Sequence, residues 1–294
     1  MNWLNSIIHG ILLGGFYALL ATGLSLMFGV MRIINLAHGS FALVGAYMAY
    51  LITINSSLSA YASILIVVPG ALVAGYALQR TMLDRSLRAG VLVPLLTTFG
   101  LLVIIANVLE LVFSPDVHSL DQGALGGKSW RISDQLSIPA FDALILGVAV
   151  VVLGGLHLFL RRTRPGRELR ATAQDADTAE LVGIDSRAVY ARATAVAVAT
   201  AALAGIFFAM RSTFDPSSGP TELIYAFEAV VIGGLGSLWG TLWGGIVLGV
   251  AQTLGAQIEP QYFALSGHVV FLIVLVARSV LESGRFRGLL GAQA

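Results

Sequence analysis

Residues Glu222–Leu254 read ELIYAFEAVVIGGLGSLWGTLWGGIVLGVAQTL. The stretch carries only Glu222 and Glu228 as ionisable groups. It exceeds the ~20 residues of one membrane crossing and falls short of two. Its middle, Gly233–Ser237, concentrates glycine, the residue that most readily ends a helix in a left-handed backbone. The block therefore reads as a re-entrant hairpin, or as two short, tilted half-spans meeting near Gly233–Ser237. Irregular backbone is tolerated at membrane depth only where protein or a water-filled cavity covers it, so this break belongs inside the fold.

The rest of the chain sets the parity that the block must satisfy. Further apolar runs occupy Ser6–Val30, Ala42–Ile54, Ala60–Leu83, Val91–Phe113, Ala140–Leu160, Ala188–Met210 and Tyr262–Leu281. Arg80, Arg85 and Arg88 follow the third run, six arginines lie in Arg161–Arg187, and Arg278, Arg285 and Arg287 lie near the end. These segments face the cytoplasm by the positive-inside rule, which leaves Asn55–Ser59, Ser114–Pro139 and Ser212–Thr221 outside. The N-terminus then lies outside and the C-terminus inside. Glu222 and Glu259–Gln261 both fall outside, so the glycine-rich block has to enter and return. A second interruption, Arg32–Ser40 (RIINLAHGS), precedes an apolar run too short to span. Interrupted segments in the two halves of a chain point to a substrate pathway. The expected fold is an all-α polytopic transmembrane bundle of about eight or nine membrane segments, broken or re-entrant helices included. It forms one domain over 1–294, with a cytoplasmic loop at 161–187.

Composition agrees. Of 294 residues 57% are hydrophobic and 11% charged, with mean hydropathy +0.86, against roughly 25% charged in soluble domains. The longest polar stretches are too short to bury a core of their own. A net charge of +1 says nothing about a nucleic-acid partner, and with no basic run interleaved with aromatics to argue for one, none is expected. Without cysteine there is no disulfide framework, thiolate nucleophile or cysteine-ligated zinc. The first apolar run lacks a positive flank before it, so it reads as a retained helix rather than a cleaved signal.

The most charged stretch is Arg161–Tyr190, RRTRPGRELRATAQDADTAELVGIDSRAVY. Asp177 followed by Glu180 resembles a capping box, and Gly183 offers a left-handed stop, which marks a helix of about two turns. So short a helix is marginal alone in water and needs a partner surface. Leu181 and Val182 would fill a groove on a separate motor subunit, with rim charges steering. Simple positive-inside charge is the competing reading. Gly236, Gly240 and Gly244, with Gly245 and Gly249, lay a small-residue stripe that means close helix packing, flanked by Trp239 and Trp243.

Polar groups inside apolar runs are His9, Asn35, His38, Asn107, Glu110, His157, Arg192, Glu228 and His268. Asn35 and His38 beside the early break, Glu228 in the late block, and the glycines Gly233, Gly234, Gly236 and Gly240 are the candidate pathway set. No HExxH or GxSxG constellation occurs, and the histidines are scattered over separate spans, against a metal site. Gly126–Ser129 reads GGKS, but a phosphate-binding loop needs glycine where Gln122 stands. A gradient-driven carrier would show relay groups deep in its spans, and only Glu228 is so placed.

Three stretches resemble the integral-membrane permease subunits of bacterial ABC importers for branched-chain amino acids: Gly14–Phe41 (GGFYALLATGLSLMFGVMRIINLAHGSF), Gly166–Asp185 (GRELRATAQDADTAELVGID) and Ala226–Gly249 (AFEAVVIGGLGSLWGTLWGGIVLG). Within that family the chain is most similar to the smaller of two permeases. The resemblance implies alternating access in the bacterial inner membrane, with a second homologous permease, two cytoplasmic ATPase subunits that bind the ATP, and an extracytoplasmic substrate-binding protein. The permease itself would carry no cofactor. The resemblance also places the ATPase-coupling helix at Ala179–Ile184, and Arg170, Asp177, Glu180, Leu181, Val182, Gly183 and Ile184 are the coupling set. Importers of urea and short amides use similar subunits, so substrate is not fixed by these motifs.

Overall fold

A computed structural model describes residues 3–90, 92–133 and 136–291. In chain order it contains α1 (Trp3–Met31), α2 (His38–Asn55), α3 (Ala60–Leu78), a π turn (Gln79–Leu83), α4 (Asp84–Arg88) and α5 (Val93–Phe113). A short hairpin follows, β1 (Ser129–Ser133) antiparallel to β2 (Leu136–Pro139). Then come α6 (Ala140–Arg162), α7 (Arg164–Gln174), α8 (Ala176–Leu181), α9 (Ser186–Arg211), α10 (Gly219–Gly233), α11 (Leu238–Ile258) and α12 (Tyr262–Gly291).

Six helices are long and apolar enough to cross a membrane, or seven spans if the bent pair α10–α11 counts as one. Adding α2 and separating α10 from α11 recovers the expected eight or nine segments. The all-α polytopic bundle is therefore the observed architecture. Val91, where the fourth run was expected to begin, and the two N-terminal residues lie outside the described residues. Arg285 and Arg287 fall on the last turns of α12, and their side chains also lie outside them.

Helices α1 and α9 form the centre, with 89% and 83% of their span windows buried, whereas α3, α5, α6 and α12 reach 22% at most. Close approach at the centre is made by small residues. A Cβ added to Gly245 on α11 would stand 2.6 Å from the Gly14 carbonyl oxygen on α1, and one added to Gly45 on α2 would stand 2.5 Å from Ala202 Cα on α9. Backbones this near leave no room for side chains between them, which is how apolar helices gain contact without a hydrophobic drive.

Several boundaries differ from the sequence expectation for identifiable reasons. Helix α2 begins at His38, not Ala42, because Asn35 organises the break: its Oδ1 accepts the Ala37 N–H (3.0 Å) and its carbonyl accepts the His38 N–H (3.2 Å). The third run does not stop at Leu83 but continues through the π turn to Arg88, so Arg80, Arg85 and Arg88 ride on helix, not loop. The segment Ser114–Pro139 contains the hairpin, and His118 exchanges backbone hydrogen bonds with Phe214 at 2.9 Å each.

The π turn is pinned to α9 by one buried relay. Thr194 Oγ1 donates to Gln79 Oε1 (2.7 Å), and Gln79 Nε2 donates to Asp84 Oδ1 (2.8 Å). Thr194→Val keeps the shape but strands the Gln79 acceptor, a loss of ~1–3 kcal/mol. Thermal unfolding in detergent checks this: the variant should melt lower, and an unchanged midpoint refutes the role of the relay.

Candidate functional site

Between α6 and α9 the chain makes two short helices in tight succession, α7 and α8. Thr163 closes α6 and opens α7: its backbone is extended, and its Oγ1 accepts the Gly166 N–H (3.1 Å). Gly166 lies on the backbone of Phe159 and Leu160, where any Cβ would overlap the Phe159 carbonyl, so α7 folds flat against the end of α6. Glu168 ties α7 to α9 through a 2.6 Å ion pair with Arg192. Leu169 and Ile184 pack with Val189 in one apolar cluster.

Helix α8 is capped at both ends, but its N-cap is Asp175, not Asp177. The Asp175 carboxylate accepts the Thr178 N–H (3.0 Å) and its hydroxyl (2.8 Å). These bonds, the backbone N–H first, hold its carboxyl below the usual carboxylate range. Asp177 sits two residues further in, within the first turn, where a carboxylate favours the helix dipole, and Glu180 contributes only its backbone carbonyl to the closing turn. At the other end Gly183, at φ +85°, donates to the Glu180 carbonyl (3.0 Å) and Ile184 donates to the Ala179 carbonyl (3.1 Å). This pair of bonds forms a Schellman motif.

The result is a six-residue helix whose tip is apolar and open. Leu181 is 87% and Val182 73% exposed, among the most exposed aliphatic residues of the chain. Asp177 and Glu180 are exposed beside them, Ala179 is buried beneath, and Ile184 is half-buried as the anchor.

Helix α7 and the break of the glycine-rich block meet across one cleft of about 360 Å³, lined by Arg170, Ala173, Ser25, Gly29, Gly236 and Trp239 among others. The α10–α11 break is a 115° bend. Gly234 (φ +101°) and Gly236 (φ +81°) take left-handed backbones there, and Ser237 caps α11 by accepting the Gly240 N–H (3.1 Å). The bend lies against Gly29 on α1, and α11 then returns antiparallel to α1. Gly233 and Gly240 touch backbone to backbone, as do Gly244 and Ala229, while Gly245 and Gly249 face α1. The stripe thus serves two interfaces.

The candidate pathway residues are placed apart. Asn35 and His38 are fully buried between α1 and α2, with His38 Nε2 2.8 Å from the Leu20 carbonyl oxygen. Glu228 is 3% exposed and lies 2.5 Å from Nδ1 of His268 on α12. Sequence reasoning marked both residues but not their pairing, because α10 and α12 become neighbours only once the block has folded back. It used Arg278 only as a marker of sidedness and missed that its guanidinium donates to the Ile232 carbonyl (2.9 Å) at the end of α10. A basic group near the close of an apolar run was the available signal.

The sequence profile described as "Branched-chain amino acid transport system / permease component" matches residues 6–278. The chain is 31% identical to the high-affinity branched-chain amino acid transport system permease protein BraD of Pseudomonas aeruginosa, over 97% of this chain and 96% of that one. It is 30% identical, with the same coverage, to the corresponding permease protein LivH of Escherichia coli. The E. coli permease protein LivM is 24% identical over 88% of this chain and 66% of its own length. No solved structure matches. Polytopic helical fold, near-complete coverage and family profile agree, and the chain belongs to the branched-chain amino acid transport permease family of ABC systems.

Proposed function

We propose that this chain is the transmembrane permease subunit of an ATP-driven importer, carrying branched-chain or related amino acids into the cell by alternating access. The observation that carries the reading is the pair Leu181–Val182, held open at the tip of a helix fixed by Asp175, Gly183 and Ile184. Apolar side chains so exposed on a polar loop are costly in water unless a partner covers them. The partner is a cytoplasmic ATPase, one of two, and ATP is bound there. Arg170, Asp177 and Glu180 supply the charged rim, and α7 passes motion into the bundle through Thr163, the Glu168–Arg192 ion pair and the cleft shared with Gly236.

A second permease and an extracytoplasmic binding protein complete the assembly in a bacterial inner membrane, with the N-terminus outside and the C-terminus cytoplasmic. The whole of 1–294 acts as one transmembrane domain. Asn35, His38, Glu228 and the glycines Gly233, Gly234, Gly236 and Gly240 line or hinge the pathway, opening as nucleotide binding shifts the equilibrium between outward and inward states.

The test is reconstitution of the permease with its ATPase and binding-protein partners in liposomes, assaying uptake of leucine, isoleucine, valine, other amino acids and urea. Uptake of branched-chain amino acids that requires ATP and the ATPase is expected. Uptake by the permease alone overturns the reading in favour of a gradient-driven carrier.

A further inference from the structure

The uncovered faces of the bundle are not chemically alike. Helix α3 presents Leu65 and Val73 and α6 presents Val151, each more than 70% exposed, on faces suited to lipid. Helix α5 also carries polar groups, but Asn107 is neutral and satisfies itself on the Val103 carbonyl of its own helix, and the exposed Glu110 lies in the last turn, within reach of the interface. Helix α12 differs. Its open stripe runs through Leu265, Val269, Leu272 and Val276, and at the level of Val269 it carries the His268 imidazole, 43% exposed.

That imidazole cannot turn away from its position. Nδ1 is held by Glu228, whose carboxylate is buried on α10 and whose second oxygen has no hydrogen-bond partner among the described residues. Tyr225 stacks on the other side of the ring, at 6.4 Å between centroids and 17° between planes. The pair lies about two turns inside the end of α12, too far in for a short imidazole to reach the interface by snorkelling. An acid–base pair half open to hydrocarbon at that depth is expensive, so its open side should meet protein or water.

We propose that the α12 stripe around His268 is covered by a second, homologous permease chain, with the open edge of His268 at the seam between the two. The proposal rests on the reading that the transporter contains two permease chains. That occupant is favoured because one organism, E. coli, has two branched-chain amino acid permease proteins that both resemble this chain. A partner built on the same plan brings its own apolar span to the stripe. It also encloses with His268 a water-accessible strip that lipid would not supply. Glu228 lies buried behind the ring.

A photo-crosslinking amino acid placed singly at Leu265 or Leu272 tests this in membranes carrying the complete transporter. The same label at Leu65, Val73 or Val151 serves as the comparison. The stripe positions should give adducts whose peptides, by mass spectrometry, belong to a second copy of this chain or to its homologous partner, and the comparison positions should give lipid adducts only. Permease adducts at α3 or α6 with none on α12 overturn the placement and leave the two-permease reading standing. Absence of permease adducts at every position overturns both.

Discussion

Gly183→Val is expected to cut ATP-dependent uptake at least tenfold while leaving a folded, inserted permease. The position has φ +85°, and no atom lies within 4 Å of where a Cβ would stand, so nothing in the core is displaced. The cost is wholly local. A β-branched residue in a left-handed backbone pays ~1–2 kcal/mol or more, comparable to the two Schellman hydrogen bonds that hold the turn. The chain relieves the strain by opening that turn, and Leu181 and Val182 leave their fixed position at the tip. Each ~1.4 kcal/mol of docking energy lost costs tenfold in occupancy of the partner surface, so uptake should fall by at least that factor.

Leu181→Asp together with Val182→Asp makes the same prediction by another route. It keeps the backbone and removes the apolar tip, so a matching defect would assign the effect to docking rather than to loop geometry. Uptake and ATP hydrolysis in liposomes are the measurements, with helical content and melting in detergent as the control for folding. Normal uptake by Gly183→Val would falsify the coupling assignment.

What could be read in the sequence was decided by local chemistry. Hydrophobic run length gave the spans, and glycine clustering gave the α10–α11 break, because both depend on residues adjacent in the chain. Helix α8 was legible at its C-terminal end, where Gly183 has a conformational reason of its own. Its N-terminal end was misplaced by two residues because Asp175 and Asp177 are equally good caps on paper. The extended backbone at Asp175, where α7 ends, selects it.

Side-chain partnerships across the bundle were out of reach. Glu228 with His268, Gln79 with Thr194 and Arg278 with the Ile232 carbonyl join helices far apart in sequence, and nothing in composition or periodicity pairs them. The hairpin β1–β2 was likewise invisible inside a polar loop. The cleft between α7 and the Gly236 bend is the most consequential of these joins, since the loop joining α6 to α9 and the broken helix both line it.

The second large effect concerns the glycines themselves, and Gly249→Val should prevent the permease from folding. Gly249 on α11 faces α1, where a Cβ would overlap the Gly10 carbonyl oxygen and stand 2.6 Å from the Gly14 nitrogen. These are backbone atoms of a helix at the centre of the bundle, and they have no rotamer by which to yield. Overpacking a core normally costs ~1–3 kcal/mol because side chains can shift. Here α1 and α11 would have to separate along the face that Gly10, Gly14, Gly245 and Gly249 share, so the penalty exceeds that range.

Gly70→Ala is the contrasting case. Gly70 is also helical and apolar in setting, but no atom lies within 4 Å of its added Cβ. Alanine there should be neutral or stabilising by about 0.5–1 kcal/mol through helix propensity alone. Monodispersity on size-exclusion chromatography and the detergent melting midpoint separate the two variants. Equal behaviour would mean that the glycine stripe of α11 is not a packing device, and the close α1–α11 contact would then have to be abandoned.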